Sequence, residues 1–198
     1  MPQRRPASKK SKPKKKPPRP AAAAGSLPHN RLPSRDAEGR VLVVIDTPKG
    51  SRNKYEFDEE LGVFALGGVL PSGAVFPYDF GYVPRTRAED GDPLDVLVLM
   101  DEPAFVGCVV PVRLVGAIEA EQTEEGETFR NDRLLAVAEN SHNHRDVRGV
   151  EDLSANLLDE IEHFFASYND AKGKRFEVLD RVGARTAARL LEKAMRVR

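Results

Sequence analysis

The 198-residue sequence predicts an α+β domain that follows a basic tail. Three observations carry this prediction. Short apolar runs interrupted by glycine and proline fill the middle of the chain, two stretches with helical periodicity follow, and the N-terminus is rich in lysine and proline. Short strands that bend at glycine and proline are typical of a closed or partly closed β-barrel. We therefore expect a barrel with helices packed against it.

The N-terminal segment has an unusual charge distribution. Residues 1–35 contain eleven Lys and Arg and no Asp or Glu, which leaves 20 basic against 31 acidic residues in the remainder of a chain with formal net charge zero. A Lys/Pro tract has little apolar surface to bury and repels itself. We predict a disordered Lys/Pro/Ala-rich tail over 1–36 and a folded domain over 37–198. A solubilising role and a non-specific contact with polyanions both remain open for the tail.

The sequence also indicates the compartment. Cys108 is the single cysteine, so an internal disulfide is excluded. The chain has no apolar run of about 18 residues, the length that spans a membrane, and no apolar segment of the signal-peptide type. We expect a cytoplasmic protein with no membrane contact.

Several segments have the composition of β-strands. The runs 41–45 and 134–138 are apolar, and 54–57 alternates charged and aromatic residues before a return strand at 61–66. The stretch 105–120 is apolar but interrupted by glycine and proline, which favours two or three bent strands.

Two amphipathic helices are expected near the C-terminus. Apolar residues recur at helical spacing over 153–165, after the acidic pair Glu151 and Asp152, which suits a helix N-terminus. A second apolar stripe covers 184–195, with basic residues towards its end. Both stripes are expected to pack on the barrel.

Asp90, Asp92 and Asp95 fall within six residues, just before an apolar run that is typical of a buried strand. Gly91 and Pro93 bend the chain between them, so Asp90 and Asp92 can turn towards one point. Clustered carboxylates repel one another, and a divalent cation relieves that repulsion. A metal site is therefore one interpretation; a solvated Asp/Gly/Pro turn is the other.

The segment 90–95, Asp-Gly-Asp-Pro-Leu-Asp, resembles the signature of the soluble family I inorganic pyrophosphatases. The resemblance continues through 44–56, 76–82 and 153–168 and covers roughly 41–193. It implies an OB-like five-stranded β-barrel with flanking helices and hydrolysis of pyrophosphate to two phosphates by metal-activated water. Mg²⁺, with Mn²⁺ as a substitute, and a homo-oligomer, commonly a hexamer in bacteria, are implied as well.

The resemblance also implies roles for individual residues. Asp90 and Asp95 match metal ligands, and Asp92 matches the base that activates water. Lys54, Arg133 and Tyr168 match residues that bind phosphate. Glu56 matches an acid that orders the site. Asp46 stands where the family usually has a glutamate.

A second acidic cluster is less regular. Asn131 takes the place of a metal-binding aspartate, and Asp132 could substitute for it if the loop shifts by one residue. Glu124 is a candidate for the remaining metal ligand. The alternative is a solvated acidic hairpin.

Other family positions are changed. Gly67-Gly68 replaces an Asp-Arg pair whose arginine contacts phosphate, Phe76 and Phe80 replace two tyrosines, and Asn169 replaces a lysine. These changes leave open a hydrolase of another small phosphoanhydride, or a catalytically weak or silent phosphate-binding homologue. The loop with His142, His144 and Arg145 either supplies replacement cations or is a plain polar loop.

Overall fold

The computed structural model describes residues 32–196. Nine strands and two α-helices follow one another in this part of the chain: β1 (Val41–Thr47), β2 (Asn53–Asp58), β3 (Val63–Val69), β4 (Asp79–Tyr82), β5 (Asp95–Leu99), β6 (Val109–Glu124), β7 (Glu127–Arg130), β8 (Arg133–Ala138), α1 (Ala155–Asp170), β9 (Arg175–Gly183) and α2 (Ala184–Arg196). A 3₁₀ turn, Val150–Asp152, precedes α1.

Five of the strands form a closed ring. β1 pairs with β4 and with β6, β4 with β5, β5 with β8, and β8 with β6. Only the β5–β8 pair of the ring is parallel. β7 and β9 extend the sheet from β6, and β2 and β3 form a separate hairpin. The ring confirms the predicted five-stranded barrel.

The strands of the ring are buried on both faces because each face meets a different apolar layer. In β5, Val96 and Val98 belong to a cluster that includes Leu191 of α2. The alternate residues Leu97 and Leu99 belong to a second cluster, together with residues of α1. This period of two is the one expected for a strand.

The apolar stretch 105–120 folds differently from the prediction. A single 16-residue strand, β6, runs from Val109 to Glu124. A register shift between Leu114 and Gly116 absorbs the bend. Gly116 is required there because a Cβ would lie 2.6 Å from the backbone oxygen of Val182. The prediction of two or three strands was therefore wrong.

The second predicted helix is confirmed by α2, and the first begins later than expected. Ser154 caps α1, and its side chain accepts a hydrogen bond from the Leu157 N–H. The acidic pair lies in the preceding 3₁₀ turn. There the Asp152 carboxylate accepts the N–H groups of Arg148 and Gly149, so it stabilises that turn rather than α1.

The folded region extends into the segment that composition assigned to the tail. The Ser34 carbonyl accepts a hydrogen bond from the Leu42 N–H, and Arg35 forms a β-bridge with Val41. Arg35 also forms an ion pair with Glu192 of α2 at 3.0 Å. Residues 34–36 therefore pair with the domain, while the predicted disorder over 1–31 lies outside the described residues. No helix within 32–196 is both long and apolar enough to cross a membrane.

Candidate active site

One cavity of about 650 Å³ lies where β1, β2, β5, β6 and β8 meet the end of α1. Nearly every site residue expected from the sequence lines it. The charged and polar lining residues are Asp46, Lys54, Glu56, Glu59, Tyr82, Asp90, Asp92, Asp95, Gln122, Glu124, Asn131, Arg133, Tyr168, Asn169, Lys172 and Lys174.

The loop before β5 turns two aspartates towards this cavity. Gly91 adopts φ +93°, a conformation that favours glycine. The Asp90 carboxylate accepts a hydrogen bond from the Asp92 N–H at 3.0 Å. Asp95 follows as the first residue of β5. The three carboxylates singled out in the sequence therefore line one cavity.

Three carboxylates of the cavity, Asp46, Asp90 and Asp95, are held in an environment that disfavours their charge. Burial raises the pKa of Asp90 to about 6, and the charges of Asp95 and Asp92 oppose its ionisation further. Burial also raises the pKa of Asp95, although Arg133 and Lys54 act in the opposite direction. For Asp46, burial raises the pKa to about 7 despite the Lys54 ammonium. The Asp46 Oδ1 atom has no hydrogen-bond partner within the described residues.

This donor set fits a divalent cation. Carboxylate oxygens are the hard ligands that Mg²⁺ and Mn²⁺ prefer, and a bound cation would favour the ionised form of these carboxylates, whose pKa burial raises. Within residues 32–196, no three acidic, histidine or cysteine side chains converge on one point as they stand. A cation held by Asp90, Asp92 and Asp95 would therefore require these side chains to move from the positions seen here.

Two cations face the acidic residues. The Lys54 ammonium lies 3.6 Å from Asp46 and 4.0 Å from Glu56. Burial acts to lower the pKa of Lys54, but Asp46 and Asp95 outweigh it and the pKa is raised. Lys54 is therefore charged at neutral pH and suited to a phosphate oxygen.

Arg133 is the second of these cations. It is buried, and its guanidinium lies 2.7 Å from the Asp95 carboxylate and against the Phe165 ring. Its Nε atom has no hydrogen-bond partner within the described residues. Parallel pairing of β5 with β8, with Val96 opposite Leu134, sets the preceding residues Asp95 and Arg133 side by side.

The second acidic cluster is not assembled as the sequence suggested. Asp132 does not line the cavity: its carboxylate accepts hydrogen bonds from the Ala120 N–H and from Arg130, and it faces a neighbouring cavity of about 410 Å³. Asp90 lines that neighbouring cavity as well, so the substitution of Asp132 for a metal ligand stays a prediction. Glu124 lines the main cavity but forms an ion pair with Lys174 at 2.6 Å.

Asn131 also lines the main cavity, in a buried amide pair. Its Nδ2 donates to the Gln122 Oε1 at 2.9 Å, and its Oδ1 accepts from Arg133. Gln122 had not been singled out in the sequence. Its one signal is a spacing of two residues from Glu124 on the same strand, which puts both side chains on one face.

Tyr168 and its neighbour have separate roles. The Tyr168 hydroxyl is buried without a hydrogen-bond partner in the described part of the chain, which leaves it available to a ligand. Asn169, at the position of a family lysine, is buried and donates to the Phe165 carbonyl at 2.9 Å. The cavity does contain two lysines that sequence reasoning missed, Lys172 and Lys174, in the turn after α1.

At the remaining changed positions, two phenylalanines pack in the core and a glycine faces Lys54. Phe76 and Phe80 are buried and pack on each other, with ring centroids 5.5 Å apart, and on the aromatic residues of α1. Gly68 lies opposite Lys54 in the β2–β3 hairpin. Because it is a glycine, no side chain extends from that position.

The histidine loop after β8 does not line the cavity. The Asp101 carboxylate accepts hydrogen bonds from the Ser141 hydroxyl and from the N–H groups of His142 and Asn143. Arg145 is exposed and pairs with Asp146. The loop is therefore the polar loop of the second interpretation, and it supplies no replacement cation.

Comparison with known proteins agrees with this geometry. The sequence model of the family described as inorganic pyrophosphatase matches residues 43–197. The inorganic pyrophosphatase of Synechocystis is 41% identical over 150 residues, which are 76% of this chain and 86% of that protein. The one from Halalkalibacterium halodurans is 43% identical over 148 residues, 75% of this chain and 88% of that protein.

The fold matches as well. The crystal structure of inorganic pyrophosphatase from Thermus thermophilus superposes with a TM-score of 0.78 at 34% identity, covering 85% of this chain and 97% of the other. The structure from Helicobacter pylori gives a TM-score of 0.75 at 35% identity. The family model spans most of the chain, and the barrel and the cavity agree with it. This chain therefore belongs to the inorganic pyrophosphatase family.

Proposed function

We propose that this chain hydrolyses inorganic pyrophosphate to two phosphates with the help of a divalent cation, Mg²⁺ or Mn²⁺. The observation that supports this best is the arrangement within one cavity of Asp90, Asp92 and Asp95 beside Lys54 and Arg133. The carboxylates can hold a metal ion, and the Lys and Arg side chains can hold phosphoryl oxygens. Both are needed to bring the negatively charged pyrophosphate and the attacking water together.

Asp90 and Asp95 are the proposed metal ligands. When bound, the cation supplies charge neutralisation at the phosphoryl oxygens and makes the attacking water more acidic. Asp92 is exposed at the mouth of the cavity and acts as the general base. It takes a proton from water as the water oxygen bonds to one phosphorus and the bond from that phosphorus to the bridging oxygen breaks. The bridging oxygen leaves on the second phosphate.

The remaining residues hold the substrate. Lys54, Arg133 and the unpartnered hydroxyl of Tyr168 are placed to bind phosphoryl oxygens, and charge-assisted hydrogen bonds of this kind are the strong ones. Glu56 lies 4.0 Å from the Lys54 ammonium, where it orders that side chain. The developing charge on the leaving phosphate is the one that these donors stabilise.

A second candidate function rests on the missing cations. No side chain extends from Gly68, and Asn169 is occupied with the Phe165 carbonyl. Because the substrate is held by fewer cations at these positions, another small phosphoanhydride is an alternative substrate, and a weak or silent phosphate-binding homologue is a further alternative.

The same family membership also supports a proposal for the oligomeric state and the cellular location. Family members from bacteria commonly form hexamers, and we propose a cytoplasmic homo-oligomer for this chain, with the basic tail available for non-specific polyanion contacts. Sedimentation analysis of the full-length chain tests the oligomeric state independently of activity.

Phosphate release from pyrophosphate, with and without Mg²⁺, tests the function, with a panel of nucleotides as alternative substrates. We expect Mg²⁺-dependent release from pyrophosphate in the wild type and loss of most turnover in Asp92→Asn, which keeps the shape and removes the base. Asp146→Asn is the matched control, since Asp146 is an exposed aspartate outside the cavity, and it should behave as wild type. Absence of release from pyrophosphate with either metal would overturn the assignment, and a fully active Asp92→Asn would overturn the mechanism.

A further inference from the structure

The residues at the end of β6, the start of β8 and the turn after α1 form a cluster that the proposed mechanism uses only in part. We call it the amide–cation cluster; its members are Gln122, Glu124, Asn131, Arg133, Lys172 and Lys174. All six line the same cavity as Asp90, Asp92 and Asp95. It is here that the family resemblance implies a second set of metal ligands.

The cluster does not fit a second cation. Its two buried oxygen-bearing side chains, Gln122 and Asn131, are neutral amides that hydrogen-bond each other at 2.9 Å. The Asn131 Oδ1 is further occupied by Arg133. Glu124 is the one carboxylate of the cluster, and it is neutralised by Lys174 at 2.6 Å. A divalent ion would therefore meet amide oxygens that are already bonded and a guanidinium that repels it.

The same cluster has the donors that an anion needs. Arg133, Lys172 and Lys174 carry three positive charges; Glu124, the one acidic member of the cluster, pairs with Lys174, and Asp95 outside the cluster pairs with Arg133. The Arg133 Nε and the Tyr168 hydroxyl are both buried without partners in the described part of the chain. Lys172 lies over the Tyr168 ring, with its ammonium 4.5 Å from the ring centroid. Its charge is thereby held over the ring that carries the unpartnered hydroxyl.

We propose that the amide–cation cluster binds a phosphoryl group directly, with no divalent cation between, and that Lys172 and Lys174 provide the positive charge missing at Gly68 and Asn169. The metal-ligand role predicted for Glu124 and Asn131 is then replaced by one of positioning: Asn131 holds Arg133, and Glu124 holds Lys174. The inference builds on the proposed function, because the phosphoryl group is one half of the proposed substrate. Divalent cations are held by the Asp90, Asp92 and Asp95 side of the cavity.

Metal stoichiometry tests the first half of the inference without any turnover. Titration of the full chain with Mn²⁺, followed by the paramagnetic signal of the free ion, gives the number of bound ions. The paired variant Gln122→Glu/Asn131→Asp introduces two carboxylates with little change in shape, and we expect it to bind one more ion than the wild type. Asn131→Asp alone is the second variant if the pair folds poorly. An equal number of ions in wild type and in the folded variant would overturn the inference.

Orthophosphate binding in the presence of a chelator tests the second half. We expect the metal-free wild type to bind phosphate, and Lys172→Met/Lys174→Met to bind it about tenfold more weakly, the loss expected for one charge-assisted hydrogen bond. Lys49→Met is the matched control, because the Lys49 ammonium also lies over a tyrosine ring, Tyr78, but outside the cavity. The lysine role is overturned if phosphate binds only with metal, or if the double variant and the control bind alike.

The two assays separate this inference from the proposed function. Metal-free phosphate binding that depends on the two lysines supports the cluster even if pyrophosphate is not hydrolysed. Pyrophosphate hydrolysis with unchanged phosphate affinity in the lysine variant supports the function and rejects the cluster.

Discussion

At the residue scale, position 68 carries a glycine where the family resemblance implies an arginine that contacts phosphate. Its Cα pairs with that of Lys54 across the hairpin, so a side chain at 68 would share a face with Lys54, which lines the cavity. A Cβ added at Gly68 meets no heavy atom within 4 Å, whereas one at Gly67 would lie 2.5 Å from the Glu56 carboxyl carbon. The site is therefore open to a larger residue at 68 but not at 67.

Gly68→Arg should raise kcat/KM for pyrophosphate. A charge-assisted hydrogen bond is worth about 1.5–3 kcal/mol, and each ~1.4 kcal/mol is about tenfold in a rate constant. We expect an increase of about tenfold or more, measured by steady-state phosphate release with Mg²⁺. The gain in turnover rate should appear at substrate concentrations below KM, where the rate depends on how tightly the enzyme binds free pyrophosphate.

Two controls accompany this variant. Gly68→Ala adds a Cβ without a charge, and Val69→Arg adds the same charge at the adjacent, exposed position of β3. Neither should reproduce the gain. If Val69→Arg raises kcat/KM as much as Gly68→Arg, general electrostatic attraction explains the effect, and a charge-assisted hydrogen bond from position 68 does not.

At the element scale, the loop after β8 shows how one exposed carboxylate organises a segment. Hydrogen bonds from the His142 N–H, the Ser141 hydroxyl and the Asn143 N–H lower the pKa of Asp101 to about 2. A carboxyl whose folded-state pKa lies below its unfolded value stabilises the fold above the unfolded pKa. This stabilisation is lost as the pH falls from about 4 towards 2.

Asp101→Asn should therefore lower the melting temperature at pH 7, and the difference from wild type should shrink as the pH falls towards 2. Thermal melts across that range provide the measurement. Glu102→Gln removes the charge of the adjacent exposed carboxylate and is the control. A difference that stays constant with pH would mean that the loop is held by its shape and not by the carboxylate.

At the scale of the whole molecule, closing the ring of strands assembles an acidic site that is electrostatically costly without a cation. The raised pKa values of Asp90, about 6, and Asp46, about 7, mean that the folded state holds protons that the unfolded state has released. The metal-free fold should therefore lose stability as the pH rises from about 4 to 7. A bound cation favours the ionised carboxylates and opposes this loss.

Saturating Mg²⁺ should raise the melting temperature, and by more at pH 8 than at pH 5. A ligand at about 100 times its dissociation constant stabilises the folded state by about 2.7 kcal/mol, which is several degrees for a domain of this size. Asp90→Asn should remove most of the shift. It is preferred to Asp95→Asn because Asp95 also neutralises the buried Arg133. An unchanged melting temperature across millimolar Mg²⁺ would contradict the metal site.

The sequence by itself determined the local elements of this protein, whose conformation depends on residues close together in the chain. The turn that contains Gly91, the strand that begins at Asp95 and the two apolar helix stripes all follow from spacing alone, because turn, strand and helix geometry act over a few residues. The family resemblance then added the topology of the barrel and most of the site residues, including Lys54 and Tyr168.

The tertiary structure decided which of those residues meet. Parallel pairing of β5 with β8 sets Asp95 beside Arg133, although 38 positions separate them in the chain. The position of β6 brings Gln122 against Asn131, and that of Arg130 turns Asp132 out of the cavity. These contacts depend on strand register around a closed ring. That register is fixed by the packing of the whole core and not by residues close together in the sequence.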